Sequence, residues 1–548
     1  MKRLPVVVLL AALAIAVGAS AAGWLGRGPA GATASPSASG SSAVEGSAPA
    51  GGSAAPSGLA PSGSAGPGPS ATAVPAPLAD VPVVPVAQFR TTATAVTRAE
   101  IEATLAGTSP RWDALELVES EADAILAALR VEVPAGSAKL VLAKNAATVA
   151  IDLSKHRKHL AVLRADAVVP RVRALGWAGR QLFGVDAVAS LAEWRLTARL
   201  PQRIDRPGFD PASTWTLVAG GDILLDRGVA QTVTVAGKGV DFPFDGGTAE
   251  ITGHCRDCSP LGWDLPVTRR TGNAGVVRHL VESADLAIAN FENPAPDSYR
   301  YHTSGTVFSA NPALIEGLAT AGIDWVGLAN NHIGDAGRQG ILQTIANLRE
   351  RGIRSSGAGM DTKAAHTAAI LDAGGVKVAM LAYDTIAAGY RAGTSTPGSA
   401  RMTAAALKAD VAAARKRGAD VVIVFPHWGS EYDATPFGGQ QALARAAIDA
   451  GADLVIGNHA HWAGAMEIYK GHPIWYALGN FVFDQTWSEP TMEGLTLELT
   501  FRGATLVQAR MRPHLILDKS QPNFLDPAGG GKVVMDQVFN ASKGWLPW

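Results

Sequence analysis

The sequence predicts a layered α/β domain with a polar site along one edge, preceded by a small α/β domain and a disordered linker. Three observations lead there. From about residue 214 onward, strand-sized apolar runs alternate with helix-period stretches, the pattern of helices packed on sheets. Nearly every one of those runs ends on a residue able to ligate a metal. Residues 28–79 are almost wholly Gly, Ala, Ser, Pro and Thr, with Glu45 the single charge and no aromatic residue.

The chain begins with Met1, Lys2 and Arg3, then an uncharged apolar run to about residue 17, then Ala19-Ser20-Ala21. These are the three parts of a secretory signal, so residues 1–27 read as a signal peptide cleaved after Ala21, or as an uncleaved N-terminal anchor. The expected location is extracytoplasmic, secreted or anchored. No Cys lies near this end, which excludes a lipoprotein anchor. Residues 28–79 cannot bury enough apolar surface to offset their ordering entropy, so they read as a disordered tether or wall-spanning spacer. A net charge of −1 provides no global field for nucleic acid, which is excluded as a partner. The only cysteines, Cys255 and Cys258, form one CxxC. In an oxidising compartment that predicts a local disulfide, since structural zinc needs a second such pair.

Residues 80–200 read as the small α/β domain. Two prolines in Val81-Pro82-Val83-Val84-Pro85-Val86 allow only an edge strand or an extended lead-in. Thr97 and Glu100 form a capping box that opens a helix with Ile101 and Leu105 on one face. Further helices are expected over 114–129 and 187–198, and strands over 139–142 and 147–151. After a Pro-rich hinge at 201–211, strands are expected at 216–219, 286–289, 325–328, 376–382, 421–425, 454–456, 474–478, 495–501 and 505–511. Helices are expected at 312–321, 338–351, 403–417 and 440–450. The tail, 513–548, packs on the domain or stays loose.

Ligands in such folds gather at the carboxyl ends of strands. There the sequence places Asp222, then Asn290 and Glu292, then Asn330, Asn331 and His332, then His427, Glu431 and Tyr432, then His459 and His461, and last Asn480 and Asp484. Singly, each has a plainer reading as a cap, an αL bend or a bulge. Together they point to a bound cation, because buried strand ends seldom converge on carboxylate, carboxamide and imidazole without one. The oxygen and nitrogen set suits one or two divalent ions of zinc, manganese or iron. Such ions make water an effective nucleophile near neutral pH, so hydrolysis is the natural chemistry. His332 suits the acid for a leaving group, with Asp335 to orient it. Trp428 and Trp462 either wall the pocket or pack in the core.

Taken in order, Gly221-Asp222 with Arg227, Asn290-x-Glu292-x-Pro294, Asn330-Asn331-His332 with Asp335 and Gly337, His427-Trp428-Gly429-x-Glu431-Tyr432, Gly457-Asn458-His459-x-His461 and Leu478-Gly479-Asn480-Phe481-Val482-Phe483-Asp484-Gln485 resemble the motifs of CapA-type capsule-synthesis proteins. The match covers roughly 214–512. That family is associated with poly-γ-glutamate synthesis and export, and its domain is similar in fold to the binuclear metallophosphoesterases, a β-sandwich flanked by helices. The resemblance implies Asp222, Glu292, Asn331, His427, His459 and His461 as metal positions. Glu292 stands where those enzymes place a bridging Asp, and His332 where they place a catalytic His. One departure stands out: Leu224 occupies a position where the phosphoesterases have His, which removes a ligand from one site. Arg227, Asn330, Glu431, Tyr432 and Asn480 are assigned to substrate, with Arg227 suited to grip a carboxylate or phosphate bidentately. The run from Phe89 through Leu105-Ala106-Gly107 to Trp112 resembles barely half a lobe of a periplasmic phosphate-binding-type protein, and a merely structural or docking role for that domain is equally open.

The expected function is an exported, metal-dependent hydrolase-type protein in the synthesis, export or processing of poly-γ-glutamate or a related anionic envelope polymer, alongside a capsule-synthesis membrane complex. The rivals are a cell-surface metallophosphoesterase with a phosphoester substrate, and a polymer-assembly protein whose metal site is vestigial.

Overall fold

Two sheets packed face to face form the larger part of the protein, and the computed structural model describes residues 76–203 and 207–546. The signal segment, most of the linker and the middle of the hinge lie outside these residues. One sheet is ordered Arg354–Ser356, Trp325–Gly327, Leu286–Phe291, Thr214–Ile223, Glu493–Arg502, Thr505–Leu517, Gln521–Leu525, Thr248–Cys255, Leu265–Gly272, with Asn480–Val482 also paired to Thr214–Ile223. The other is ordered Ala369–Ala373, Val376–Asp384, Val421–His427, Leu454–Ile456, His472–Trp475, Met466–Tyr469.

Alternation along each strand builds the layers. Leu217 and Ala219 face the second sheet and meet a shared core with Met380, Ile423, Ile456 and Leu497. Val218, Ala287 and Val326 point the other way, onto Leu280 and Leu348 of the helices Val276–Glu282 and Gly337–Glu350. On the far side, Leu381, Val424 and Val455 pack against Leu407 and Ala444 of Ala404–Lys416 and Gly438–Asp449. A period of two thus yields a β-sandwich flanked by helices. The central strands run parallel, so their carboxyl ends open on one edge.

Residues 76–203 hold their own core around Ile101, Leu115 and Leu160, on a six-stranded sheet. It is fixed to the sandwich by Val185 N–H donating to Glu498 Oε1 (3.0 Å) and Ala174 N–H donating to Gln508 Oε1 (2.8 Å). Gly184, at φ 94°, leaves no room for a Cβ beside Glu498. The Glu498 carboxylate is in turn held by Arg510 and Arg512.

Several expectations change here. Leu78–Gln88 is central in its sheet and not an edge: Pro82 falls one residue before the ladder with His159–Arg164 begins, and Pro85 lies between the segments paired to Thr197–Pro201 and to Val172–Ala174. Neither proline is asked for a ladder donor. The strand also begins inside the stretch read as linker. The expected helix over 114–129 divides into the fully buried strand Ala114–Val118 and the helix Ala122–Leu129, while Ala146–Lys155 is a helix, capped by Asn145 accepting from Thr148 N–H, where a strand was expected. Residues 187–198 form no α-helix and end in the strand Thr197–Pro201. The capping box at Thr97 and Glu100 is present. The tail is integral, because Gln521–Leu525 joins the sheet and Lys532–Ala541 sends Val534 and Val538 into the core. Cys255 and Cys258 are disulfide-bonded at the end of a two-stranded arm. Among the described residues no helix is long and apolar enough to cross a membrane.

Glu493 is 1% exposed with one carboxyl oxygen unpartnered, and burial followed by the Glu489 charge pushes it up to about 8. A folded value above the unfolded one gives stability that is complete near pH 4.5 and lost as pH rises through 8. Replacing Glu493 with Gln is expected to flatten this loss, so urea denaturation at pH 5 and pH 8 separates wild type from Glu493→Gln by about 2 kcal/mol or more at the higher pH only.

Candidate metal centre

Strand register brings the polar residues together. Asp222 ends its strand directly between Asn290 on one side and Asn480 on the other. A side chain at Gly221 would overlap the Gly479 carbonyl, so the close approach of these two loops, sealed by Asp222 N–H to Gly479 O (3.1 Å), requires glycine there. Asn290 donates to Asp222 Oδ1 (2.7 Å), and His459 N–H donates to Oδ2 (3.2 Å). Glu292 follows the neighbouring strand, and His427 ends Val421–His427, a central strand of the facing sheet.

Two triads result, sharing Glu292. Ligand atoms of Glu292, His427 and His459 lie within 4.8 Å of one another, and so do those of Asp222, Glu292 and His461. All five side chains are buried. Neither Glu292 oxygen has a hydrogen-bonded partner, although His427 Nε2 stands 3.3 Å and His461 Nε2 3.9 Å from Oε1. Asn331 Oδ1 is 2.7 Å from His427 Nε2, and His459 Nδ1 is 3.0 Å from the same nitrogen. His459 and His461 both adopt left-handed backbone, at φ 91° and 55°, strain of about 1–3 kcal/mol each that the surrounding loop must sustain.

Burial sets the protonation. Asp222 is pushed up to about 7 by burial, with the Asn290 and His459 hydrogen bonds opposing. Burial and then the Asp222 and Glu431 charges hold Glu292 well above the carboxylate range. His459 and His461 are lowered to about 3 and His427 well below its usual value, each by burial first. Neutral imidazoles facing two crowded carboxyls form a donor set that a divalent cation fits.

Beside the triads, His332 Nδ1 bonds Asp335 Oδ2 (2.9 Å) and its ring packs on Phe308 at 4.1 Å. Asp335 is fixed by Phe308 N–H (2.8 Å) and the Tyr390 hydroxyl (3.1 Å). Glu431 is exposed on the rim, and Tyr432 lies beneath it with its ring 6.0 Å from that of His461.

Three residues assigned to substrate do other work. Arg227 is ion-paired to Asp484 and bonded to Gly305 O (2.7 Å), its guanidinium lying over Phe308, so its fork is not open to a ligand. Asn330 is fully buried, donating to Phe291 O (2.8 Å) and accepting from His332 N–H (3.1 Å). Asn480, also buried, orients His461 through Oδ1 to Nδ1 (2.8 Å) and donates to Thr491 O. Trp428 packs in the core, its Nε1 bonded to Tyr476 O. Leu224 joins Phe308, Phe483 and Ile516 in an apolar cluster, so no donor stands at that position.

Sequence reasoning passed over Asp226. Fully buried, it accepts from Arg227 N–H, Ser309 N–H and His302, pinning the loop of residues 297–309 over the site. Its one sequence signal is an acid directly after the apolar pair Leu224-Leu225.

The family model described as bacterial capsule synthesis protein PGA_cap matches residues 216–485. The capsule biosynthesis protein CapA of Bacillus anthracis is 36% identical over 233 residues, 40% of this chain and 57% of that protein. A probable polyglutamine synthesis accessory protein of Mycobacterium tuberculosis is 32% identical over 294 residues, 49% of this chain and 74% of that protein. The chain belongs to the bacterial capsule synthesis protein family. As a member of that family it spans little over half the length of the Bacillus anthracis relative. A calcineurin-like phosphoesterase of Bacillus subtilis is 13% identical, with a TM-score of 0.31 over 60% of this chain and 96% of that one, a likeness too distant to carry function.

Because burial raises Asp222 to about 7 and holds Glu292 above the usual carboxylate range, metal binding to this capsule-synthesis family member is expected to release protons and to tighten as pH rises through about 7. Titration calorimetry with Mn²⁺ or Zn²⁺ in buffers of different ionisation enthalpy reads both effects. Gly221→Ala is expected to lower stability by about 2 kcal/mol or more and to weaken metal uptake, measured by denaturation and by metal content.

Proposed function

We propose that this protein acts outside the plasma membrane in the synthesis, export or processing of poly-γ-glutamate or a related anionic envelope polymer, through a metal-dependent hydrolase-type site. The observation that carries the reading is Glu292, a buried carboxylate with neither oxygen bonded, common to two ligand triads. Family membership supports the polymer, and the names of the relatives, capsule biosynthesis and polyglutamine synthesis accessory proteins, support a role beside a capsule-synthesis complex. The N-terminal signal pattern and the Cys255–Cys258 disulfide accord with an extracytoplasmic setting.

Glu292, His427 and His459 would hold one cation with Asn331 beside them, and Asp222, Glu292 and His461 a second. Cations held there supply Lewis acidity toward an amide carbonyl or phosphoryl oxygen. Asp335 holds the Nδ1 side of His332, so that the ring, when protonated on both nitrogens, would present its Nε2–H to the departing group and be left with Nε2 bare after the transfer. Phe308 and Phe483 keep one side of the site apolar and dry. One observation favours a weaker or vestigial second site: Leu224 leaves that triad with three protein ligands.

Purified protein is expected to carry Mn, Zn or Fe and to cleave γ-glutamyl oligomers. Glu292→Gln should lose the metal, whereas His332→Ala should keep it and lose activity by about 10²–10⁴. Metal uptake is read by elemental analysis and turnover by amine release, with a chromogenic phosphodiester in parallel. Phosphodiester turnover alone supports a surface phosphoesterase, and protein that takes up no added metal supports a non-catalytic assembly role.

A further inference from the structure

Next to the metal centre lies a cleft in two lobes that share Gly228, Gln231 and Lys519. The nearer, about 210 Å³, is bounded by Thr303, Asp484 and Trp487. The farther, about 500 Å³, continues over Thr232, Val235, Lys238 and Asp518. The nearer lobe is one side-chain layer from the site. Trp487 packs edge-on against Tyr432 (5.0 Å), Tyr432 lies over His461, and Phe483, the residue before Asp484, packs on His461 at 4.9 Å.

Both walls of the farther lobe depart from regular structure. One is a π-helical turn, Gln231–Val235, that leaves Val235 83% exposed. The other is a turn in which Asp518 and Lys519 are both left-handed, at φ 51° and 58°. Such irregularities persist where the surroundings impose them, and they concentrate at functional sites. Gly228 lets the walls approach: a Cβ there would stand 2.7 Å from Asp484 Cβ and 3.2 Å from Lys519 Cδ.

The charge of the cleft has one sign once its ion pairs are counted. Asp484 is neutralised by Arg227, and Asp518 by Arg270 at 3.1 Å. Lys238 and Lys519 have no acidic partner among the described residues, and both are exposed. Lone ammonium groups on flexible stems meet single carboxylates well, whereas bidentate phosphate recognition favours Arg, and both cleft-side arginines are already engaged.

We propose that this cleft is the track on which an extended polycarboxylate chain lies as it leads to the metal centre, with Lys519 and Lys238 meeting successive carboxylates and Gln231 and Thr232 facing the amides between them. The inference rests on the polymer reading of the site. It extends that reading from the reacting link to the chain on one side of it.

The test is calorimetric binding of a γ-glutamyl oligomer of defined length to full-length, metal-loaded protein at low and high salt, with polyphosphate and a neutral glutamine oligomer as comparison probes. The double variant Lys238→Ala/Lys519→Ala is expected to weaken glutamyl-oligomer binding roughly tenfold and to flatten its salt dependence, with metal content and cleavage of a γ-glutamyl dipeptide unchanged. Lys519→Glu is expected to weaken it further. If wild type binds the oligomer and the double variant matches it, the track is overturned while the polymer reading stands. If wild type binds no glutamyl oligomer, or binds polyphosphate in its place, both fall.

Discussion

Two carboxylates buried within a few ångströms of each other set the terms for the whole sandwich. Asp222 and Glu292 are both fully removed from water, and Glu292 has no donor on either oxygen. Leaving a buried ionised carboxylate unpaired is among the most unfavourable arrangements a fold can hold, so such a pair either keeps protons or takes up a positive charge. The imidazoles around it are held neutral by the same burial, so protonated histidine does not supply that charge. A cation between the two groups resolves both conditions at once. On the proposed reading the loaded form is the one in which every one of these groups is satisfied.

The arrangement comes from the sheets. Parallel strands from two facing layers end along one edge, and their register puts Asp222 between Asn290 and Asn480 while the facing sheet delivers His427. The loop after Leu454–Ile456 then carries His459 and His461 in backbone conformations that neither residue favours. Strain of this kind persists when hydrogen bonds over-determine it, as His459 N–H to Asp222 and His461 to Asn480 do here. The carboxamides at this edge serve as struts: Asn290, Asn330 and Asn480 hold acids, backbone and imidazole in place.

The clustering of these acids and imidazoles was legible in the sequence because each follows a strand whose apolar run is unmistakable, and because binding residues of α/β folds collect at those ends. The secondary residues were less legible, since a buried strut and a substrate contact are the same letter in the chain. Asn330 and Asn480 read as polar and available, while the structure has them fully hydrogen-bonded inside. Arg227 read as an anion clamp, and its partner Asp484 was distant in sequence. In the N-terminal domain, Ala114–Val118 and Ala146–Lys155 exchanged assignments because short runs of Ala, Leu and Val fit either period; the Asn145 cap was the deciding signal. The two prolines of Leu78–Gln88 read as an edge because partner-strand boundaries, which free them from donating, are a property of the fold and not of the segment.

The proposed cation sites lie between Asp222, Glu292 and the three histidines His427, His459 and His461. Anomalous diffraction from crystals grown with Mn²⁺ or Zn²⁺ tests them most directly. A strong peak bounded by Glu292, His427 and His459 and a weaker one bounded by Asp222, Glu292 and His461 are expected. Crystals with no anomalous peak there, in which Glu292 has turned to a protein donor and the histidines have moved apart, would contradict them.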